Sequence, residues 1–150
     1  MISLARGRLP IVSALVLGMT ACMRTPTSNP TSTPSQRLSG ELVYTRSGGF
    51  VGTNDRVVIQ PTGPLESSGR MLGQHSGTLS EAQLTQLVGL LANWSQVTVT
   101  GAPPPGAADY FTLSITYAGK TVTWTSLTPN VPAELTTLAT TIEQFARSLT

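Results

Sequence analysis

The sequence predicts an α+β domain in which an antiparallel sheet of about four strands carries two helices on one face. Two kinds of apolar periodicity indicate this fold class. Apolar and polar residues alternate through residues 110–117, as in a strand with one buried face. Apolar residues recur every three or four positions in 84–91 and 135–149, as on the buried side of a helix. The element order β-β-α-β-β-α favours an antiparallel sheet whose threonine-rich face is exposed.

The first two strands are predicted at residues 41–46 and 56–60, which are rich in β-branched residues. Several glycines lie between them, and glycine tolerates the positive φ of tight turns. A hairpin or a bulged pair of strands is therefore expected. Pro61 and Pro64 are expected to close this unit, and residues 70–72 to add a short third strand.

The first helix starts with a capping signal. Ser80 and Gln83 have the spacing of a capping box, and Leu79 is placed to pack on Leu84. The apolar stripe of the helix is expected to lie in the core and consists of Leu84, Leu87, Val88 and Leu91. Trp94 is predicted to end the helix and to pack beneath it, because large aromatic residues are usually buried.

The second half of the domain repeats the order strand, strand, helix. Residues 101–106 contain three consecutive prolines and predict a stiff loop, read as a surface connector in preference to a binding rim. Strands are predicted at 110–117 and 120–125, joined by a tight turn at 118–119. A helix is predicted from about residue 132 to residue 148, where Pro132 suits a first turn.

The N-terminal segment resembles a bacterial lipoprotein signal peptide. Two arginines precede a short apolar run at 9–18, and Met-Thr-Ala-Cys at 19–22 looks like a lipobox. An ordinary secretory signal or a membrane helix fits less well, because the run is too short to span a bilayer. Residues 1–21 are thus expected to be removed and Cys22 to carry the lipid that anchors the protein outside the cytoplasm.

The expected anchor and tether precede the folded domain. Met23 follows the lipidated position in place of an aspartate, which favours the outer membrane where the cell has one. Residues 22–39 are interpreted as the lipidated cysteine and a tether rich in proline, serine and threonine. Residues 40–150 form the predicted α+β domain.

Charge narrows the range of partners. The sequence has nine Lys or Arg and seven Asp or Glu, and Arg6 and Arg8 would leave with the signal peptide. The mature chain is then neutral, which argues against nucleic acid and against electrostatic attachment to lipid head groups. Cys22 is the only cysteine, so no disulfide can form within the chain.

Catalytic and metal-binding patterns are missing from the sequence. His75 is the only histidine and is expected to be a solvated turn residue. A Ser-His-Asp arrangement would require His75 to meet Asp55 or Asp109, which no spacing predicts. No spaced set of histidines, cysteines or carboxylates suggests a metal site. We therefore expect neither an enzyme nor a bound metal or cofactor.

A resemblance to a known family rests on residues 44–52, Tyr-Thr-Arg-Ser-Gly-Gly-Phe-Val-Gly. This segment resembles the signature of the emfourin family, small proteins similar to protealysin inhibitor. A capped helix, a strand led by 109–115, a hairpin and a C-terminal helix follow in that family's order, so the resemblance covers most of 41–149. Two departures are a longer connection at 63–77 and the sequence Trp-Ser-Gln-Val at 94–97, where a Leu-Pro ending is expected.

The resemblance implies an inhibitor of thermolysin-like zinc metallopeptidases, which the lipid expected on Cys22 would anchor to the membrane. The mechanism expected for it is occlusion of the active-site cleft by a loop. The candidate loop is Arg46, Ser47, Gly48, Gly49 and Phe50. Phe50 is the candidate anchor, since these enzymes prefer a large apolar side chain just after the scissile bond. The sequence leaves two orientations of Phe50 open, outward as an anchor or inward onto the sheet, and average burial tendencies favour the inward one. The alternative function is a non-inhibitory protein-binding module of the cell envelope on the same fold.

Overall fold

A computed structural model describes residues 36–149 as six strands, two α-helices and one 3₁₀-helix. The first half of this range contains β1 Leu42–Gly48, β2 Thr53–Ile59, β3 Pro64–Ser68, β4 His75–Thr78 and α1 Glu81–Leu90. The second half contains the 3₁₀-helix Trp94–Gln96, β5 Phe111–Tyr117, β6 Lys120–Thr125 and α2 Ala133–Arg147. The predicted α+β class with an antiparallel sheet is confirmed, but the sheet has six strands, where about four were expected. Cys22 and the signal peptide lie outside the described residues.

All strands join one antiparallel sheet in the order β4-β3-β2-β1-β5-β6. The central strand β1 pairs with β2 on one side and β5 on the other. Gly48 lies opposite Thr53 and Phe111, at what we call the tip end of the sheet. Leu42 lies opposite Ile59 and Tyr117, at what we call the base end.

The extra strands β3 and β4 form a hairpin that the sequence did not reveal. The prediction of a strand at 70–72 is wrong, because these residues belong to the turn between β3 and β4. Pro64 begins β3 instead of ending the previous unit, a position where a missing N–H is tolerated. His75 begins β4 and is not a turn residue. Both strands are poor in β-branched residues, so pairing with their neighbours, not local propensity, defines them.

One face of the sheet and the two helices enclose the core. α2 contacts β2, β3 and α1. The predicted capping box is present, with Ser80 Oγ accepting from the Gln83 N–H at 3.3 Å. Trp94 is buried as predicted and donates from Nε1 to the Tyr117 carbonyl at 2.9 Å, although it begins a separate 3₁₀-helix after α1. Within residues 36–149 both α-helices lie on this core side of the sheet, and the opposite face is rich in serine and threonine.

The folded unit begins before β1. Leu38 is only 4% exposed and belongs to the core, and its N–H donates to the Pro61 carbonyl at 3.1 Å. Ser39 donates from Oγ to the Tyr117 hydroxyl at 2.7 Å. The core therefore includes a residue that precedes the expected domain start at residue 40, and residues 36–149 contain one continuous hydrophobic core. No helix in this part of the chain has the length and apolar character needed to cross a bilayer.

Candidate functional site

The predicted binding loop spans the end of β1 and the turn that follows it. Arg46, Ser47 and Gly48 close the strand, whereas Gly49 and Phe50 begin the turn to β2. The N–H of Gly52 donates to the Gly49 carbonyl at 3.0 Å, so residues 49–52 form a hydrogen-bonded β-turn. Phe50 and Val51 are its two central residues.

Phe50 projects into solvent. Its side chain is 90% exposed, and that of Val51 is 47% exposed. The expectation that Phe50 folds inward onto the sheet is therefore wrong. The two central residues of the turn lie beyond the last strand pair, Gly48 with Thr53. The average burial tendency of phenylalanine does not apply at such a position.

Two glycines let the turn lie against the beginning of β5. Gly48 has a φ of 101°, and an added Cβ would stand 2.6 Å from the Tyr110 carbonyl oxygen. Gly49 has a φ of 68°, and an added Cβ would stand 2.7 Å from Cε1 of Phe111. The Gly49 N–H donates to the same Tyr110 carbonyl at 3.0 Å. The sequence Gly-Gly thus lets the turn pack closely on β5: a Cβ at Gly48 would collide with backbone, and one at Gly49 would force the Phe111 ring to shift.

Arg46 lies beneath the turn and not on its surface. Its guanidinium donates from Nη2 to Asp55 Oδ2 at 2.7 Å and from Nη1 to Glu143 Oε1 at 2.7 Å. Asp55 is 0% exposed, so the pair joins two strands in the interior. Burial by itself would lower the pKa of Arg46, but the hydrogen bond to Asp55 and the charge of Glu143 outweigh burial and raise it. Arg46 is placed to support the turn.

Tyr44 extends this buried network towards α2. Its hydroxyl donates to Glu143 Oε1 at 2.6 Å, the oxygen that also accepts from Arg46. Burial, followed by the hydrogen bond to Glu143, raises the pKa of Tyr44 far above its ordinary value. The hydroxyl therefore stays protonated and keeps donating to Glu143. Through these contacts α2, β1 and β2 hold the strand residues that lie directly beneath the turn.

The turn between β3 and β4 lies beside the turn between β1 and β2. The Met71 N–H donates to Asp55 Oδ1 at 2.8 Å, and Arg70 Nη1 donates to the Val51 carbonyl at 3.0 Å. Met71 is 53% exposed. Sequence reasoning missed this turn, although Gly69 and Gly73 could have indicated it, since both have positive φ and bracket a short turn.

The remaining candidate residues lie in different elements of the fold. Within residues 36–149, no group of three or more histidine, cysteine, aspartate or glutamate side chains is placed to hold a metal ion. Asp55 pairs with Arg46, and His75 is half-buried at the start of the edge strand β4. Residues 101–106 form an irregular loop, as predicted.

Comparison with known proteins adds no relative. No protein-family model matches the chain, and no curated protein matches it significantly.

Proposed function

We propose that this protein inhibits thermolysin-like zinc metallopeptidases by inserting the β1–β2 turn into the active-site cleft. Phe50 is the anchor that enters an apolar pocket, and the backbone of Gly48 and Gly49 approaches the rim of the cleft. Substrate is excluded because the turn occupies its place. The proposal includes anchoring through a lipid on Cys22, so that inhibition takes place outside the cytoplasm.

The observation that carries this proposal is an exposed Phe50 on a rigidly held turn. Burying a phenylalanine side chain contributes about 1.5–3 kcal/mol, which is available to a partner because Phe50 is 90% exposed. The turn hydrogen bond and the packing of Gly49 on Phe111 order the backbone before binding. Preorganisation of this kind reduces the entropy lost on association. An anchor on an ordered turn is typical of a binding hot spot.

The position of residues 38 and 39, at the start of the folded domain, supports the same proposal. Leu38 and Ser39 contact Pro61 and Tyr117, all at the base end of the sheet. Phe50 lies at the tip end. Because Leu38 and Ser39 lie at the end of the sheet opposite Phe50, lipid anchoring and binding through Phe50 are compatible.

The test is a titration of thermolysin with purified residues 36–150, measured as the rate of hydrolysis of a peptide substrate. Inhibition is expected to be stoichiometric, and a serine protease is expected to stay active. Phe50→Ala should weaken inhibition about 100-fold, as for a central hot spot. Val58→Ala is the matched control, because Val58 is a partly exposed apolar residue of β2 that lies next to the base end of the sheet.

The result that would contradict the proposal is full peptidase activity at excess inhibitor, both with thermolysin and with any thermolysin-like enzyme encoded beside this chain. The same fold would then be assigned to the alternative, a protein-binding module of the cell envelope.

A further inference from the structure

Two turns at the tip end are joined by hydrogen bonds although they are far apart in sequence. Arg70 Nη1 donates to the carbonyl of Val51, a central residue of the first turn, at 3.0 Å. The N–H of Met71 donates to Asp55 Oδ1 at 2.8 Å. Phe50 and Met71 are thus presented by neighbouring turns that are tied to one another.

Asp55 sets the position of both turns. Its Oδ2 accepts from Arg46 at the base of the first turn, and its Oδ1 accepts from the backbone of the second. Gly69 makes the approach possible, because an added Cβ there would overlap the Asp55 side chain. One buried carboxylate therefore fixes the two turns as a unit.

We infer that the β3–β4 turn is the second half of the peptidase-binding surface, with Met71 as a second apolar contact and Arg70 as a positioning residue for the first turn. This inference rests on the proposed function. The occupant is the same thermolysin-like peptidase, which Met71 would meet outside the pocket that receives Phe50. A methionine side chain is unbranched and polarizable, so it can adapt to an uneven apolar rim.

The exposure of these residues agrees with a role in binding. Phe50, Val51 and Met71 together place three exposed large apolar side chains on two linked turns. Exposed apolar residues gathered in this way mark interaction surfaces more often than residues scattered singly. Arg70 is itself exposed, so its contact with Val51 stabilises the fold little but can hold the turn in one geometry.

The experiment measures thermolysin inhibition constants for residues 36–150 carrying Met71→Ala, Arg70→Ala or Arg70→Lys. Met71→Ala should weaken inhibition about 10-fold, with an unchanged melting temperature because the side chain is exposed. Arg70→Ala should weaken it several-fold, and Arg70→Lys should restore most of the loss, because an ammonium group can also donate to the Val51 carbonyl. Val58→Ala, beside the base end, should stay within about twofold of wild type.

Different results would overturn the two-turn surface and the proposed inhibitory function. Strong inhibition by the wild-type chain together with a Met71→Ala constant within twofold of it would overturn the two-turn surface and leave the proposed function standing. Absence of inhibition by the wild-type chain, both of thermolysin and of any thermolysin-like enzyme encoded beside it, would overturn the proposed function and the inference with it.

Discussion

The two ends of the sheet treat apolar side chains in opposite ways. At the base end, Leu38 and Trp94 are buried, and hydrogen bonds to Pro61 and Tyr117 tie the chain down. At the tip end, Phe50 and Met71 are exposed, although hydrogen bonds also hold the backbone of their two turns. Burial stabilises the base end, whereas glycine packing and a buried ion pair order the tip. This difference separates the residues that stabilise the fold from those available to a partner.

The largest expected effect on stability comes from Asp55→Ala. The substitution removes the carboxylate that pairs with Arg46 and leaves a poorly exposed guanidinium with one partner fewer. Breaking a buried ion pair by removing one member costs about 3–5 kcal/mol. Urea denaturation followed by circular dichroism should show this loss. A loss below about 1 kcal/mol would mean that the pair does not hold the tip together.

Leu38→Ala tests the base end. Leu38 is 4% exposed in the core, and truncating a buried leucine costs about 2–5 kcal/mol. Inhibition measured at a temperature where the variant stays folded should match wild type, since Leu38 lies at the base end, opposite the tip end that carries Phe50.

Phe50→Ala should have the opposite effects. Its free energy of unfolding should stay within about 0.5 kcal/mol of wild type, and its inhibition of the peptidase should be lost. A destabilised Phe50→Ala variant would argue that Phe50 belongs to the core.

Gly49→Ala and Gly52→Ala form a matched pair at the two ends of the turn. The two glycines have similar positive φ, 68° and 62°, but only at Gly49 would a Cβ meet another residue, 2.7 Å from Cε1 of Phe111; at Gly52 nothing lies within 4 Å. The strain of a positive φ costs about 1 kcal/mol in either variant. In urea denaturation Gly49→Ala should lose a further 1 kcal/mol or so of unfolding free energy, and equal losses would show that packing against Phe111 of β5 does not order the turn.

The smallest expected effect is the contribution of Tyr44 to the pH dependence of the free energy of unfolding. Because the pKa of Tyr44 is raised in the folded protein, above about pH 10 the unfolded chain loses a proton that the native state keeps. Stability should therefore fall with rising pH, by up to about 1.4 kcal/mol per pH unit from this group. Tyr44→Phe should abolish that share of the slope. Identical slopes for the two proteins between pH 10 and 11.5 would contradict the account.

The sequence predicted elements whose patterns are local and could not predict those that depend on pairing. Residues 110–117 and the capping box at Ser80 carry strong periodic or capping signals, and both are confirmed in the structure. The hairpin of β3 and β4 has no such pattern, because Pro64–Ser68 and His75–Thr78 become strands only by pairing with β2 and with each other.

In the candidate loop, too, the features that depend on tertiary contacts could not be predicted from the sequence. Its five residues were found by resemblance, but only tertiary contacts distinguish Arg46, which is held by Asp55 and Glu143, from Phe50, which is exposed. No local pattern says that Asp55 accepts from the Met71 backbone, since the two are sixteen residues apart. The contact between the two turns was therefore beyond prediction from sequence spacing, although the glycines of the second turn were a local signal for the turn itself.

The most direct measurement is a paired titration of thermolysin with wild-type residues 36–150 and with Phe50→Ala, after both have been shown to unfold at the same temperature. If Phe50 is the anchor, the wild-type protein inhibits stoichiometrically and the variant inhibits about 100-fold more weakly. Equal inhibition by two equally stable proteins would contradict the assignment of Phe50 as the anchor. No inhibition by either protein, of thermolysin or of a thermolysin-like enzyme encoded beside this chain, would contradict the proposed function itself.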